Sequence, residues 1–172
     1  MSENRSSSDP LPAANGPTEA VTEENASYSA WVWGGRFHPV PQDFIFPSCN
    51  SLNLWTLWWR GNPAKNITPY KHFKGYDLSQ QGRGLLSKAN TVISYFISES
   101  GKSEIEIGAM NDEQLSSTFA TVFSALIQKH WNMSMEDADH RRFGNQLFTS
   151  TYTWILAVRA EEAADVDAEI IP

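Results

Sequence analysis

The segment SLNLWTLWWR, residues 51–60, limits what this chain can fold into more than any other segment. Its large side chains point to almost every side of a helix, which is typical of a helix buried all round and not of a surface helix. Ser48, Asn50 or Ser51 can cap the start of this helix, and the Gly-Asn-Pro turn at 61–63 ends it. We therefore expect other elements to cover it, with three tryptophans in the core: Trp55, Trp58 and Trp59.

The chain between this helix and residue 97 predicts one short helix and one long helix. Gly61 to Gly84 is rich in turn residues, with Pro69 as the first-turn residue of a short helix and Gly82 and Gly84 ending the loop. Apolar residues then recur at the spacing of one helical face, which predicts a helix over residues 84–97. The core residues expected from these two helices are Phe73, Val92, Ile93 and Phe96.

The C-terminal part predicts a pair of amphipathic helices. Asn111 with Gln114 three residues later is the pattern of a capping box, and the apolar spacing continues to Trp131. A second periodic set, from Phe143 to Val158, predicts the last helix. After Arg159 the chain carries five acidic residues and no basic one, so we expect a frayed and solvated acidic tail over 160–172. The pair, residues 111–159, would serve packing or self-association, with candidate core or interface residues Phe119, Phe123 and Trp154.

The remaining segments predict less regular structure. Residues 1–29 are polar, lack large apolar side chains and are expected to be a disordered arm. The aromatic residues and prolines that follow predict an extended strap lying on the helices. Residues 101–110 belong to a polar linker, with a short alternating strand at Ile105 and Ile107 as one expectation. The predicted fold is all-α, with a Trp-rich helical domain over 30–100 followed by the helix pair.

Charge is distributed unevenly along the sequence. The net charge is −7, but residues 50–102 carry seven basic and two acidic side chains, a net of +5. Fields in salt solution fall off within about 8 to 10 Å, so the charge of a segment is a better guide to its partners than the total. Basic side chains and helix N-terminal amides bind phosphates, although an ordinary solvated face has the same composition. The candidate phosphate contacts are Lys65, Lys71, Lys74, Arg83 and Lys88.

Other functional classes find little support in the sequence. The four histidines stand at positions 38, 72, 130 and 140, and Cys49 is the single cysteine, so we expect no metal, no cofactor and no catalytic residue. Neither a phosphate-binding loop motif nor a dinucleotide-binding glycine motif occurs. The longest apolar run, 152–158, is too short to cross a bilayer, and the N-terminus has no secretory pattern. We expect neither an enzyme nor a membrane or secreted protein.

The stretch from about residue 44 to 97 resembles a known family. It contains Leu-Trp-x-x-Trp at 54–58, Gly-Asn-Pro at 61–63, Ile-x-Pro-Tyr at 67–70 and Leu-Ser-Lys-Ala at 86–89. This pattern is similar to the DNA-binding domain at the C-terminus of the fungal transcriptional activator of glycolytic genes. Similar domains accompany the recombinases of Crypton-type DNA transposons and their derivatives. The resemblance implies a small helical module of helix-turn-helix or Myb-like type, and an origin in a transposable element.

Together these observations predict a non-enzymatic DNA-binding or transcription-associated protein. Its five basic side chains would lie on the phosphates of double-stranded DNA, and Asn90 on the polar face of the 84–97 helix would reach base edges. The expected location is the nucleus, or otherwise the cytoplasm. The alternative is a protein-interaction module of the same fold that does not bind DNA, and either form could pair with itself or with another protein through residues 111–158.

Overall fold

The structure is a computed structural model, and it describes residues 28–133 and 144–170. Within these ranges the chain is mostly helical and adds one two-stranded sheet. The helical class is therefore confirmed, whereas the expectation of a purely all-α chain is wrong. Residues 1–27 of the predicted arm and Phe143 and His140 lie outside the described residues.

The sheet is a β-hairpin at the start of the predicted strap. Strand β1 spans Trp31–Trp33 and pairs antiparallel with strand β2, Arg36–His38. The two-residue turn consists of Gly34 and Gly35, both with positive φ, which this kind of tight hairpin requires. An extended segment then runs on to Asn50, with Val40 fully buried and Phe46 nearly so.

Helix α1, Ser51–Arg60, has the boundaries that its capping residues predict. The Asn50 side chain accepts a hydrogen bond from the backbone of Asn53 at 2.8 Å, and Gly61 closes the other end by donating to the carbonyl of Leu57 at 2.9 Å. All three tryptophans of the helix are buried, the most exposed being Trp58 at 8%.

Residues 61–79 connect α1 to the next long helix. They form three single-turn 3-10 helices, at Pro63–Lys65, Tyr70–His72 and Gly75–Asp77. The helix expected after Pro69 is therefore a 3-10 turn that ends before Phe73, which is buried. This connection is much longer than the three or four residues of a helix-turn-helix motif, and the helix-turn-helix or Myb-like arrangement stays a prediction.

Helix α2, Gln80–Ser100, is longer at both ends than the predicted 84–97 helix. It begins after Ser79, whose hydroxyl accepts a hydrogen bond from the backbone of Gly82 at 3.2 Å. Gly82 and Gly84 therefore lie inside the helix, and the prediction that they end the loop is wrong. The buried face of α2 consists of Gly82, Leu86, Ala89, Val92, Ile93, Tyr95 and Phe96.

The predicted linker contains a helix instead of a strand. Helix α3, Glu104–Gly108, starts with a reciprocal capping box in which Ser103 and Glu106 bond to each other's backbone N–H groups. The expected strand at Ile105 and Ile107 is wrong because this capping box favours a helical turn. Ile107 is fully buried and Ile105 is 85% exposed, so α3 has one inward and one outward side.

The last two helices are α4, Asp112–Trp131, and α5, Phe148–Ile170. The predicted capping box of α4 is confirmed: Asn111 and Gln114 exchange bonds of 2.8 and 3.0 Å. Leu147 lies outside α5, in an antiparallel bridge with Asn50. The expectation of a frayed tail is wrong, because α5 continues as a helix to Ile170.

Helices α2 and α5 lie side by side and run parallel. Near their N-terminal ends the Lys88 ammonium lies 5.7 Å from the ring centre of Tyr152, and further along Arg159 lies 5.7 Å from that of Tyr95. Near the C-terminal end of α2, Lys129 of α4 bonds to both Glu99 and Glu162 at 3.2 Å. The last turns of α5 consequently extend past the C-terminal end of α2.

One continuous core joins the Trp-rich segment to the C-terminal helices. The ring of Trp55 meets that of Phe96 at 6.0 Å, and Phe96 meets Phe119 at 5.3 Å. The indole N–H of Trp55 donates to the carbonyl of Leu115 at 3.1 Å. The apolar side chains of the helix pair are therefore used to complete this core.

Candidate nucleic-acid interface

The hairpin is fastened to the 3-10 turn Gly75–Asp77 by a buried polar contact. Nδ1 of His38 lies 2.8 Å from a carboxylate oxygen of Asp77, and both side chains are almost completely buried. Nε2 of His38 lies 3.0 Å from the carbonyl oxygen of Trp33, whose ring stacks on the imidazole at 3.5 Å. The second oxygen of Asp77 accepts from the backbone N–H of Lys74 at 2.7 Å. We call Trp33, His38 and Asp77 the hairpin clasp.

The geometry of the clasp requires a proton between His38 and Asp77. A carbonyl oxygen can only accept, so Nε2 of His38 carries the hydrogen that points to Trp33. The contact between Nδ1 and the carboxylate then needs a second hydrogen, contributed by one of the two groups. The clasp thereby holds β2 in a fixed position against the turn.

Three basic side chains surround the turn that the clasp holds. The Arg36 guanidinium lies over the ring of Tyr76, 5.2 Å from its centre. Lys74 is exposed at the start of the turn, and the methylene groups of Arg83 lie against Gly75, 3.5 Å from where a Cβ would stand. We call Arg36, Lys74, Tyr76 and Arg83 the basic-aromatic surface.

These charges are available to an external anion. In the described part of the chain no carboxylate lies within 4.0 Å of the charged nitrogens of Arg36, Lys74 or Arg83. Asp77, the carboxylate of the turn itself, is buried in the hairpin clasp. Tyr76 is 54% exposed and presents an aromatic face beside the guanidinium. The arrangement can therefore bind phosphate groups and place a ring against a partner.

The structure brings only some of the sequence-predicted contacts together. Lys74 and Arg83 share this surface, and Asn90 is exposed two turns along the same face of α2 as Arg83. Lys88 turns away toward α5, and Lys71 lies half-buried with its ammonium 5.4 Å from the ring centre of Trp59. The fifth, Lys65, is exposed on the separate turn Pro63–Lys65.

Sequence reasoning missed two members of this surface, Arg36 and Tyr76. Neither residue lies in a stretch with helical periodicity. The usable signal was the Gly34-Gly35 pair between aromatic residues, which predicts a hairpin. A hairpin register pairs Val32 with Phe37, and both project outward, 66% and 76% exposed.

Other sites in the described residues offer less chemistry. One groove of about 1000 Å³ lies between α4 and the start of α1 and is mostly apolar, with Leu52, Phe119 and Phe123 in its wall. A second, of about 1050 Å³, adjoins Trp59 and α3. In residues 28–133 and 144–170 no group of three His, Cys, Asp or Glu side chains is placed to hold a metal ion. No helix there is long and apolar enough to cross a membrane.

Cys49 is half-buried at the end of the extended segment. Burial raises the pKa of its thiol from 9.0 to about 11, so the thiolate that a nucleophile requires is scarce at neutral pH. The same effect, with a smaller contribution from Cys49, raises the pKa of Tyr70.

Comparisons with protein-family models, with curated proteins and with solved structures find no match to this chain. The protein is therefore classified by its own architecture. It has a mostly helical fold with a clasped N-terminal hairpin and an exposed basic-aromatic surface.

Proposed function

We propose that this protein is a non-enzymatic DNA-binding or transcription-associated protein of the nucleus, and that it holds duplex DNA by the basic-aromatic surface. The observation that supports this most is the grouping of Arg36, Lys74 and Arg83 around one rigid turn, free of carboxylate partners among the described residues. The resemblance of residues 44–97 to the DNA-binding domain of the fungal glycolytic-gene activator supports the same function.

Each group on the surface has a definite role in this proposal. Arg36, Lys74 and Arg83 neutralise phosphates and position the protein without reading sequence. Asn90, about 10 Å along α2 from Arg83, reaches base edges, where its amide can bond to adenine. Lys65, Lys71 and Lys88 face other directions and contribute only to the general field.

The test is a titration of the full chain into fluorescein-labelled duplex DNA of random sequence, read by fluorescence anisotropy. Three phosphate contacts predict an affinity that falls about 40-fold between about 50 and about 200 mM salt. Binding weakens because counterions released from the DNA gain less entropy when the solution already contains more salt. A double substitution, Lys74→Glu with Arg83→Glu, is expected to weaken binding and to flatten the salt dependence.

The matched control is Lys65→Glu with Lys102→Glu, which changes the net charge by the same amount away from the basic-aromatic surface. We expect this control to lose no more than a few-fold in affinity. Equal loss in both double variants would show that net charge, and not this surface, governs binding.

A second candidate function is a protein-interaction module that does not bind DNA. The observation in its favour is the outward pair Val32 and Phe37 on the hairpin, together with Ile45, which is 83% exposed. Exposed apolar side chains at one end of a molecule are typical of protein interfaces. Absence of DNA binding at about 50 mM salt, where phosphate contacts are strongest, would favour this alternative.

A further inference from the structure

The C-terminal end of α5 is exposed in the described chain and is held to the rest of the fold by Arg159, which lies over Tyr95, and by the ion pair of Glu162 with Lys129. Val158 is its last buried residue, and every residue from Arg159 to Ile170 is exposed. Leu156, Val166 and Ile170 are 44%, 58% and 71% exposed, and at 100° per residue they fall within about 80° of one another around the helix. They form an apolar stripe, and its last two members, Val166 and Ile170, lie beyond the ion pair of Glu162 with Lys129.

Local electrostatics oppose a free helix at this end. The C-terminus of a helix carries a partial negative charge and is stabilised by basic side chains. Here the last turns carry Asp165, Asp167 and Glu169, and no Lys or Arg follows Arg159. A helix end with this composition is stabilised by a surface that is both positively charged and apolar.

Such a surface exists at the opposite end of the same molecule. The basic-aromatic surface lies at the N-terminal end of α2 and includes the exposed ring of Tyr76. The acidic end of α5 lies past the C-terminal end of α2, and a helix of 21 residues is about 30 Å long. Since α5 is one continuous helix, its end does not reach the basic-aromatic surface of its own chain.

We propose that the acidic end of α5 docks on the basic-aromatic surface of a second copy of this chain. The inference rests on the surface assigned in the proposed function. In the dimer the carboxylates of α5 bind where DNA phosphates would bind, so α5 of the second copy competes with DNA for this surface. Val166 and Ile170 pack against the exposed ring of Tyr76, while Asp165 and Glu169 pair with Arg36 and Arg83.

The position of the two surfaces also determines the form of the assembly. Two copies placed side by side and antiparallel make both contacts at once, which closes the pair as a symmetric dimer. Joining the copies end to end would use one contact per junction and would leave the chain of molecules open. The proposal is therefore a dimer, weakened by salt because its contacts pair opposite charges.

The test is sedimentation equilibrium of the full chain without DNA, over concentrations from about 1 to about 200 µM and at about 50 and about 500 mM salt. We expect a dimer whose dissociation constant rises at least about tenfold at the higher salt. A wild-type chain that stays monomeric at every concentration and low salt would overturn the proposal.

Charge exchange between the two surfaces separates this contact from unspecific association. Arg36→Glu with Arg83→Glu is expected to be monomeric, and so is Asp165→Lys with Glu169→Lys. In an equimolar mixture of the two double variants both contacts of the pair are again complementary, one as in the wild type and one with the charges exchanged, and the mixture should associate again. Lys102→Glu is the control and should dimerise like the wild type. Dimerisation unaffected by both double variants, or a mixture that stays monomeric, would contradict the proposal.

The DNA titration distinguishes failure of this inference from failure of the proposed function. If α5 competes with DNA, Asp165→Lys with Glu169→Lys should bind duplex DNA at least a few-fold more tightly than Glu104→Lys with Glu113→Lys, which changes the net charge by the same amount away from α5, at concentrations where the latter is dimeric. Self-association without DNA binding would support the dimer and contradict the proposed DNA function. DNA binding by a wild-type chain that stays strictly monomeric would support the DNA function and contradict the dimer.

Discussion

At the scale of single residues, the conformation of Gly61 shows how much a local rule can and cannot predict. The sequence predicts that this glycine ends α1, and it does so with a φ of +67°. The structure adds a close approach: a Cβ at this position would lie 2.4 Å from the carbonyl oxygen of Ile67. That oxygen belongs to a bridge between Asn62 and Ile67, which no helical pattern reveals.

Two alanine substitutions follow from the surroundings of the glycines. Gly61→Ala is expected to destabilise the protein by at least about 2 kcal/mol, because it adds both backbone strain and a steric clash. Gly84→Ala lies in an open position inside α2 and is expected to stabilise it by up to about 1 kcal/mol. Urea unfolding of both variants measures the difference. Similar unfolding midpoints for the two would contradict the geometry at Gly61.

The thiol of Cys49 gives a second prediction at this scale. With its pKa raised to about 11 in the folded protein, alkylation by iodoacetamide at about pH 8 should be about 100-fold slower than in the urea-unfolded chain. Since the thiol ionises first in the unfolded chain, its contribution to stability is present below pH 9.0 and is lost as the pH rises toward 11. Equal alkylation rates in both states would show that the thiol is not buried.

At the scale of the elements, the sequence predicts the starts of α1 and α4 but not those of α2 and α3, although a side chain caps all four. Asn50 and Asn111 cap their helices through bonds to residues three positions further on, which sequence spacing reveals directly. The start of α2 was missed because two glycines obscured the cap at Ser79. Helix α3 was missed because Ile105 and Ile107 alternate like a strand, although the Ser103 capping box overrides that pattern.

The capping box of α3 leads to a pH prediction. Hydrogen bonds from the backbone and side chain of Ser103 lower the pKa of Glu106 below its usual 4.5. A depressed carboxyl pKa stabilises α3 above pH 4.5, and this stabilisation is lost as the pH falls through the lower pKa of the folded state. The amide resonance of Ser103 should therefore titrate below pH 4.5 in an NMR experiment. Glu106→Gln should remove this titration, and a midpoint above 4.5 would contradict the hydrogen bonds.

At the scale of the whole molecule, the sequence predicts which residues of each helix are buried better than it predicts how the helices pack against one another. Trp55, Trp59 and Phe96 are buried, and helical spacing alone singles them out. Spacing does not say which helices are neighbours, so the parallel packing of α2 on α5 was not foreseen. For the same reason the sequence predicts one set of basic side chains, whereas in the fold they point to at least three separate places.

The shared core predicts that the Trp-rich part does not fold alone. A fragment of residues 28–110 lacks Phe119, whose ring covers Phe96, and the backbone carbonyl of Leu115, which accepts the hydrogen bond of Trp55. We expect this fragment to give a poorly dispersed NMR spectrum and no cooperative thermal transition, whereas residues 28–170 give both. A folded fragment would mean that the C-terminal helices are an accessory to an independent domain.

The contact between α1 and α5 has a consequence for how the protein is made. The Ser51 hydroxyl bonds to that of Thr151 at 2.7 Å across a sequence separation of 100 residues. During synthesis the N-terminal part leaves the ribosome first. Its aromatic side chains therefore remain exposed to solvent until α5 has been synthesised and can pack over them. Long-range contacts of this kind slow folding because a large loop must close first. Nascent chains that end before Val158 would therefore be natural clients of chaperones that bind exposed aromatic segments.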